Sequence, residues 1–417
     1  MEKKMSLSSV KIKQSSYQTT TLDIVKIILD DTSFNINALT AIQASQDGDL
    51  FIGATNHQSE DPVLLRVDLK ENTVSDTGLR FPPKGPKGSR QYSIGDKIHS
   101  ALVWGTGKWE GWLLAGHGSH IWWDDGGWIF DNRFFDGGHI YAFHPGTGEC
   151  IDLGLPVFNN TVHGLSGNET MLAGYSLPDN HLFIYDIAKG THRDLGRISA
   201  YCCHNLICRQ NKVFGVYRKA LGEQRGDMVL AADKAAFLFV YHHDTGLMER
   251  TDILISELET NIRFNSGIDS WISMDNWVYG GRVNGSLFRF DPDTRLVEEL
   301  GYPVAPIKGT MTTEQVRKLG GKGCAGINGN ERVTGMTALD KDLIAGVAGF
   351  PCMHVFTFDA RVVSMVDYGP VNDTDSMCYF HSVCLARMPD GRRGLACIET
   401  DSMRPVLYLC FPRTRSF

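Results

Sequence analysis

The sequence predicts an all-β protein, a seven-bladed β-propeller whose ring is closed by an N-terminal strand. Three observations predict it. An apolar, aromatic strand motif recurs seven times along the 417 residues. Several copies run on into the same glycine-terminated close, so each repeat holds four short strands, at the period of a propeller blade. Glycine is abundant, with 44 residues, as many strands joined by tight turns require.

Along the chain, residues 1–20 are polar and are expected to be a flexible segment ahead of a single propeller domain over residues 21–417. LDIVKIILD (Leu22–Asp30) reads as an apolar strand, placed to complete the last blade. The recurring third strand then follows as LLRVDL (Leu64–Leu69), IYAFHP (Ile140–Pro145), LFIYDI (Leu182–Ile187), LFVYHH (Leu238–His243), LFRFDP (Leu287–Pro292), HVFTFD (His354–Asp359) and VLYLCF (Val406–Phe411). HPGTGECIDLG, YDIAKGTHRDLG and FDPDTRLVEELG show the turn and the outer strand that close a blade. A closed ring leaves few exposed sheet edges to invite aggregation. Helix is scarce, and TTEQVRKLG (Thr312–Gly320) is the one short candidate.

Composition narrows the function. At 42% hydrophobic and 21% charged residues the chain has ample core for a globular fold. The net charge of −7, with no block of Lys and Arg, argues against nucleic acid as a partner. No run reaches the ~18 apolar residues of a membrane span, and a monomer is expected. The ten cysteines include no CxxC pair and read as buried small hydrophobes rather than a disulfide framework. The N-terminus has no apolar stretch of the signal-peptide kind. Sequons at Asn159, Asn168, Asn284 and Asn372 leave secreted and cytoplasmic locations both open.

The stretch Lys97–Trp128 holds six of the eight tryptophans together with His99, His117 and His120. Aromatic faces beside proton-transfer groups suit a saccharide. Aligning the blades sharpens this. First strands begin KIHSALV, TVHGLSG, CCHNLIC and YFHSVCL, which puts His99, His163, His204 and His381 at one register. Only 14 residues of the chain are histidine, so four at one register point to a ligand or metal site on the axis. Channel-filling core residues are the alternative for His163 and His204. Second strands end LLAGHG, LAGYSLP, FGVYRK and VYGGRV, which adds His117, Tyr175, Tyr217 with Arg218, and Arg282 to the same face. His120, Trp122 and Trp123 would wall the mouth.

The aligned positions show no carboxylate pair of the kind a glycoside hydrolase needs, and neither GxSxG nor HExxH occurs. β-Elimination at a uronic acid fits better. There the carboxylate must be neutralised by Arg or a metal, a base takes the C5 proton, and an acid protonates the departing O4.

The run KIH, the GH that closes the next strand, and Y-x-x-P before an aromatic YD strand resemble the seven-bladed propeller polysaccharide lyases. These include the ulvan lyases and the L-rhamnose-α-1,4-D-glucuronate lyases. The resemblance implies His99 and His117 as catalytic residues, Tyr175 completing the acid–base set, and Arg282 or Arg218 on the carboxylate. The blade alignment, not the resemblance, supplies Tyr217, His120, Trp122 and Trp123 as candidate substrate contacts and His163, His204 and His381 as candidate ligands of a divalent ion. Three other readings stay open: a metal-dependent propeller like the oligogalacturonate lyases, a glycan-binding propeller without catalysis, and a calcium-propeller hydrolase. The last would want Glu, Asp or Asn at the axis.

Overall fold

Each repeat folds as an antiparallel sheet in the predicted order, and the seven sheets stand as blades round a channel. The computed structural model describes residues 9–29, 38–55, 62–79, 101–118, 121–122, 128–129, 137–177, 179–200, 205–221, 224–225, 228–229, 232–258, 267–305, 332–349, 352–371, 380–399 and 404–413, with residues 34, 36, 98 and 318. Blade 3 is representative, with strands Thr161–Gly167, Met171–Leu177, His181–Asp186 and Thr191–Arg197 running from the axis outward. All seven recurring motifs form third strands. The proposed helix at 312–320 lies outside the described residues except Lys318.

Burial explains the patterns. A middle strand is covered on both faces by neighbouring blades, so Met171–Leu177 is buried throughout, whereas outer Thr191–Arg197 is mostly half-buried or exposed. Each seam between blades holds its own apolar cluster, such as Tyr175, Leu182, Tyr217 and Phe239 between blades 3 and 4. In four blades a second-strand glycine lies opposite a third-strand phenylalanine: Gly174–Phe183, Gly215–Phe239, Gly280–Phe288 and Gly346–Phe356. The ring lies where a Cβ would stand, so glycine is required at these positions. Cys208, Cys384, Cys397 and Cys410 are free and buried, as read from the sequence.

The ring closes through both ends of the chain. Leu22–Ile28 pairs with Val406–Pro412 as the fourth strand of blade 7. The segment before it departs from the expectation of a loose terminus. Lys13–Gln18 adds a fifth strand outside Leu22–Ile28, and Ser9–Lys11 adds a fifth strand outside Thr73–Asp76 of blade 1. Buried Ile12 lies between the two, so one edge segment straps blade 7 to blade 1. Tyr17 donates its hydroxyl to Val371 O of blade 6 at 2.6 Å, extending the strap to a third blade.

Candidate functional site

The first strands share an irregularity that the sequence pattern does not reveal. In five blades the pairing with the second strand slips by one residue at the same point. The extra residues are Thr40, His163, Asp269, Thr334 and His381. A bulge re-aims a side chain that regular alternation would fix on one face. Blades 2 and 4 carry the matching triplets Ile98-His99-Ser100 and Cys203-His204-Asn205, but His99 and His204 lie outside the described residues, as does the side chain of His381.

Bonds between blades brace this ring of bulges. Thr40 Oγ1 donates to Ile98 O at 2.6 Å, Asn205 Nδ2 to Asp269 O at 2.6 Å, and Ser270 Oγ to Val333 O at 2.9 Å. Asp269 is buried and holds the Arg332 guanidinium through Nε and through Nη2, the latter at 2.8 Å. Below the ring the axial channel encloses about 310 Å³, lined by polar groups that include Gln43, Ser166, Asn205 and Ser382. Sequence comparison on histidine alone missed Thr40, Asp269 and Thr334. The signal was available as one triplet, apolar then Thr/His/Asp then small, in every blade.

Opposite the bulges, the second strands place Ala54, His117, Ser176, Tyr217, Arg282, Ala348 and Glu399 at one register. Glu399 is buried, so the two aligned positions do contain carboxylates, Asp269 and Glu399, contrary to the sequence reading. Asp269 is already paired with Arg332, which does not suit a hydrolytic acid.

Four expected site residues have side chains engaged within the fold. Tyr175 stands one residue before the register, and a one-residue step reverses the face of a strand. It is fully buried against blade 4, its ring 6.4 Å from Phe239 and its hydroxyl over Gly215. Tyr217 is at the register, but it is buried and its hydroxyl donates outward to Thr251 O at 2.8 Å. Arg282 is likewise buried. It grips Glu299 through Nη1 at 2.5 Å and Nη2 at 2.6 Å, donates from Nε to Ile255 O at 2.6 Å, and lies over the Phe288 ring. Arg218 is enclosed, with Nε donating to Asp233 O at 2.6 Å. These groups tie strands and seams together.

His117 is different. Gly116 and Gly118 flank it because a Cβ at either would strike Val162 or Thr161 of blade 3, and Gly138 passes over its carbonyl. The Val162 amide donates to His117 O at 3.2 Å. The imidazole is buried 5.7 Å from the Tyr141 ring, and its Nδ1 accepts the His139 amide at 3.0 Å. Burial first, then the nearby Asp152 and Cys150, push the Tyr141 hydroxyl well above its usual pKa, so it stays protonated.

His139 looks like part of this site but belongs to a repeated clip. Its Nδ1 lies 2.8 Å from Asp152. His181–Asp194 and His354–Asp367 repeat the pair at 3.0 Å in blades 3 and 6, with the same spacing in the chain. The clip joins the start of a third strand to the outer strand and is architectural.

Among the described residues no three His, Cys, Asp or Glu side chains come together to hold a metal. Of the expected ligands only the His163 side chain is described, and it is buried. His120 and Trp123 lie outside the described residues, and of Trp122 only the backbone is described, paired with Trp128. No helix among the described residues is long and apolar enough to cross a membrane.

No family model and no curated protein matches this chain. Solved structures do. The WD40 repeats of RRP9 superpose with TM-score 0.55 at 10% identity, over 96% of this chain and 100% of that one. An oligogalacturonate lyase in complex with manganese gives 0.54 at 12% identity, over 98% of both chains. The oligogalacturonate lyase of Vibrio parahaemolyticus gives 0.53 at 11% identity, over 97% of this chain and 98% of that one. At these identities the likeness is one of fold.

Proposed function

We propose that the chain is a lyase for uronate-bearing saccharides, acting by β-elimination with a divalent ion at the ring of bulges. One observation carries this reading: histidine recurs at the single first-strand residue that the bulge turns out of register, seen in blades 3 and 7 and matched by the triplets of blades 2 and 4. His163, His204 and His381 would hold the ion, and imidazole nitrogen suits borderline divalent metals. A propeller of similar fold, an oligogalacturonate lyase in complex with manganese, supports the choice. When bound, such an ion draws charge from the substrate carboxylate and makes the C5 proton easier to remove.

The chain's own groups divide the proton work. His99 takes the C5 proton, the electron pair forms the C4–C5 double bond, and the C4–O4 bond breaks. His117 protonates O4. Its Nδ1 faces both the His139 amide at 3.0 Å and the His139 carbonyl at 3.3 Å, so a proton given by the imidazolium form would leave from Nε2. The rhamnose–glucuronate type, which leans on Tyr175 and an arginine, is the weaker reading, since Tyr175, Arg218 and Arg282 are engaged in the seams.

The test is ultraviolet absorbance of the C4–C5 unsaturated uronate after incubation with oligogalacturonate, ulvan or gum arabic, with and without EDTA. Metal content of the purified protein is measured alongside. An EDTA-sensitive rise on one substrate, with bound metal lost in His163→Ala, is expected. No product on any of the three and no bound metal would overturn the reading.

A further inference from the structure

The connection from blade 2 to blade 3 carries an exposed aromatic residue shortly before the strand that bonds the His117 carbonyl. Phe158 is 66% exposed between buried Val157 and buried Asn160. A lone exposed phenylalanine is ordinary on a protein surface. This one is held by an unusual amount of structure. Asn159 takes the left-handed backbone at φ 55°, which turns the chain sharply after Phe158. Asn160 then fixes the turn from within. Its Nδ2 donates to Phe158 O at 2.9 Å and to Asp179 at 2.7 Å, while its Oδ1 accepts the Ser176 hydroxyl at 3.1 Å and the Asp179 amide at 3.0 Å. Its carbonyl accepts the Gly138 amide at 2.7 Å. Every polar group of Asn160 that these bonds use serves to hold the turn, and none is offered to solvent.

The place of the turn gives it meaning. Gly138 precedes His139, whose amide bonds the His117 ring, and Val162, two residues past Asn160, bonds the His117 carbonyl. The backbone that carries Phe158 is therefore fixed on the strand-joining face that also carries His117. We infer that Phe158 is a stacking platform for a pyranose ring that flanks the uronate at the scissile bond. The C–H face of a pyranose is apolar and flat enough to cover an aromatic ring, and an aromatic side chain on a fixed backbone has only two torsions to order on binding. The inference rests on the saccharide reading above and names a contact within it.

The test is affinity electrophoresis of the full chain in native gels containing polygalacturonate, ulvan or gum arabic, with dextran as the neutral control. Wild type, Phe158→Ala, Phe158→Trp and His117→Ala are compared, and unsaturated product is assayed separately. The platform predicts that Phe158→Ala loses about 3–10-fold in affinity for the retarding uronan, while Phe158→Trp keeps it. Equal retardation of wild type and Phe158→Ala overturns the platform whether or not product forms. Retardation that depends on Phe158 without any product upholds the platform and removes the lyase. No retardation of wild type in any gel overturns both.

Discussion

The amide of Val162 donates to the carbonyl of His117 at 3.2 Å, so the first strand of blade 3 begins against the loop that carries the proposed acid. His163, the next residue, is the bulge of that strand. One inter-blade bond thus fixes the proposed proton donor relative to a proposed ligand, and neither depends on a long flexible loop.

His117→Gln keeps a polar side chain but cannot deliver a proton. It is expected to lower kcat by about 10²–10⁴ with affinity for the saccharide retained. Initial rates and gel retardation on the same preparation check this. An unchanged kcat would remove His117 from the mechanism.

Arg282→Ala separates a structural role for Arg282 from a role at the substrate carboxylate. It leaves the Ile255 carbonyl and the Ser286 hydroxyl without their buried partner. Glu299 is 66% exposed and regains water, so the loss expected from the unpaired buried groups is about 1–3 kcal/mol in stability, with kcat and KM of the folded fraction unchanged. A selective rise in KM would return Arg282 to the substrate site.

The clips give a pH dependence. Burial of Asp367 acts to raise its pKa, but the hydrogen bonds from His354 and from the Gly369 amide outweigh it and hold the carboxyl below its ordinary value. Stability from this source is therefore full above the unfolded value, about 4, and is lost as pH falls through the lower folded value. Both partners are a quarter to a third exposed, so the contribution is about 0.5–1 kcal/mol. Asp367→Asn should melt below wild type near neutral pH, and the gap should close in acid. A gap that widens in acid would show the sign to be wrong.

Tyr17→Phe removes the bond from the N-terminal strap to Val371. A cost of about 1 kcal/mol is expected. Hydrogen exchange should quicken first in Lys13–Gln18 and Leu22–Ile28 rather than in blades 3 to 5. Uniform exchange changes would contradict a local strap.

The blades were legible because burial on both faces imposes a recurrent apolar phrase, and all seven copies of it are third strands. The register within a blade was harder to read. LAGYSLP and LLAGHG align by their letters with Tyr175 over His117, yet strand pairing puts Ser176 there and sends Tyr175 into the next seam. A bulge adds one residue without changing composition, so no count of polar letters finds it. The histidines at the bulge were visible because histidine is rare, whereas Thr40, Thr334 and Asp269 at the same position were not. Arg282 and Tyr217 were placed at the right register, but pairing with an outer strand is set by residues 17 and 34 positions away and could not be read locally.

The strand that closes blade 7 also sets a timetable for synthesis. Asp23 and Arg413, which pair across that closure, are 390 residues apart. At translation rates of about 5–20 residues per second, Leu22–Ile28 waits for tens of seconds before its partner exists. Throughout that time the strand can pair with Lys13–Gln18 on one edge only, and the edge that will meet Val406–Pro412 is open to wrong pairing with other chains. Yield should therefore fall when initiation is crowded on the message and recover when elongating chains are spaced apart or shielded by a chaperone. Two strands made 390 residues apart must meet before either edge of that closure is covered.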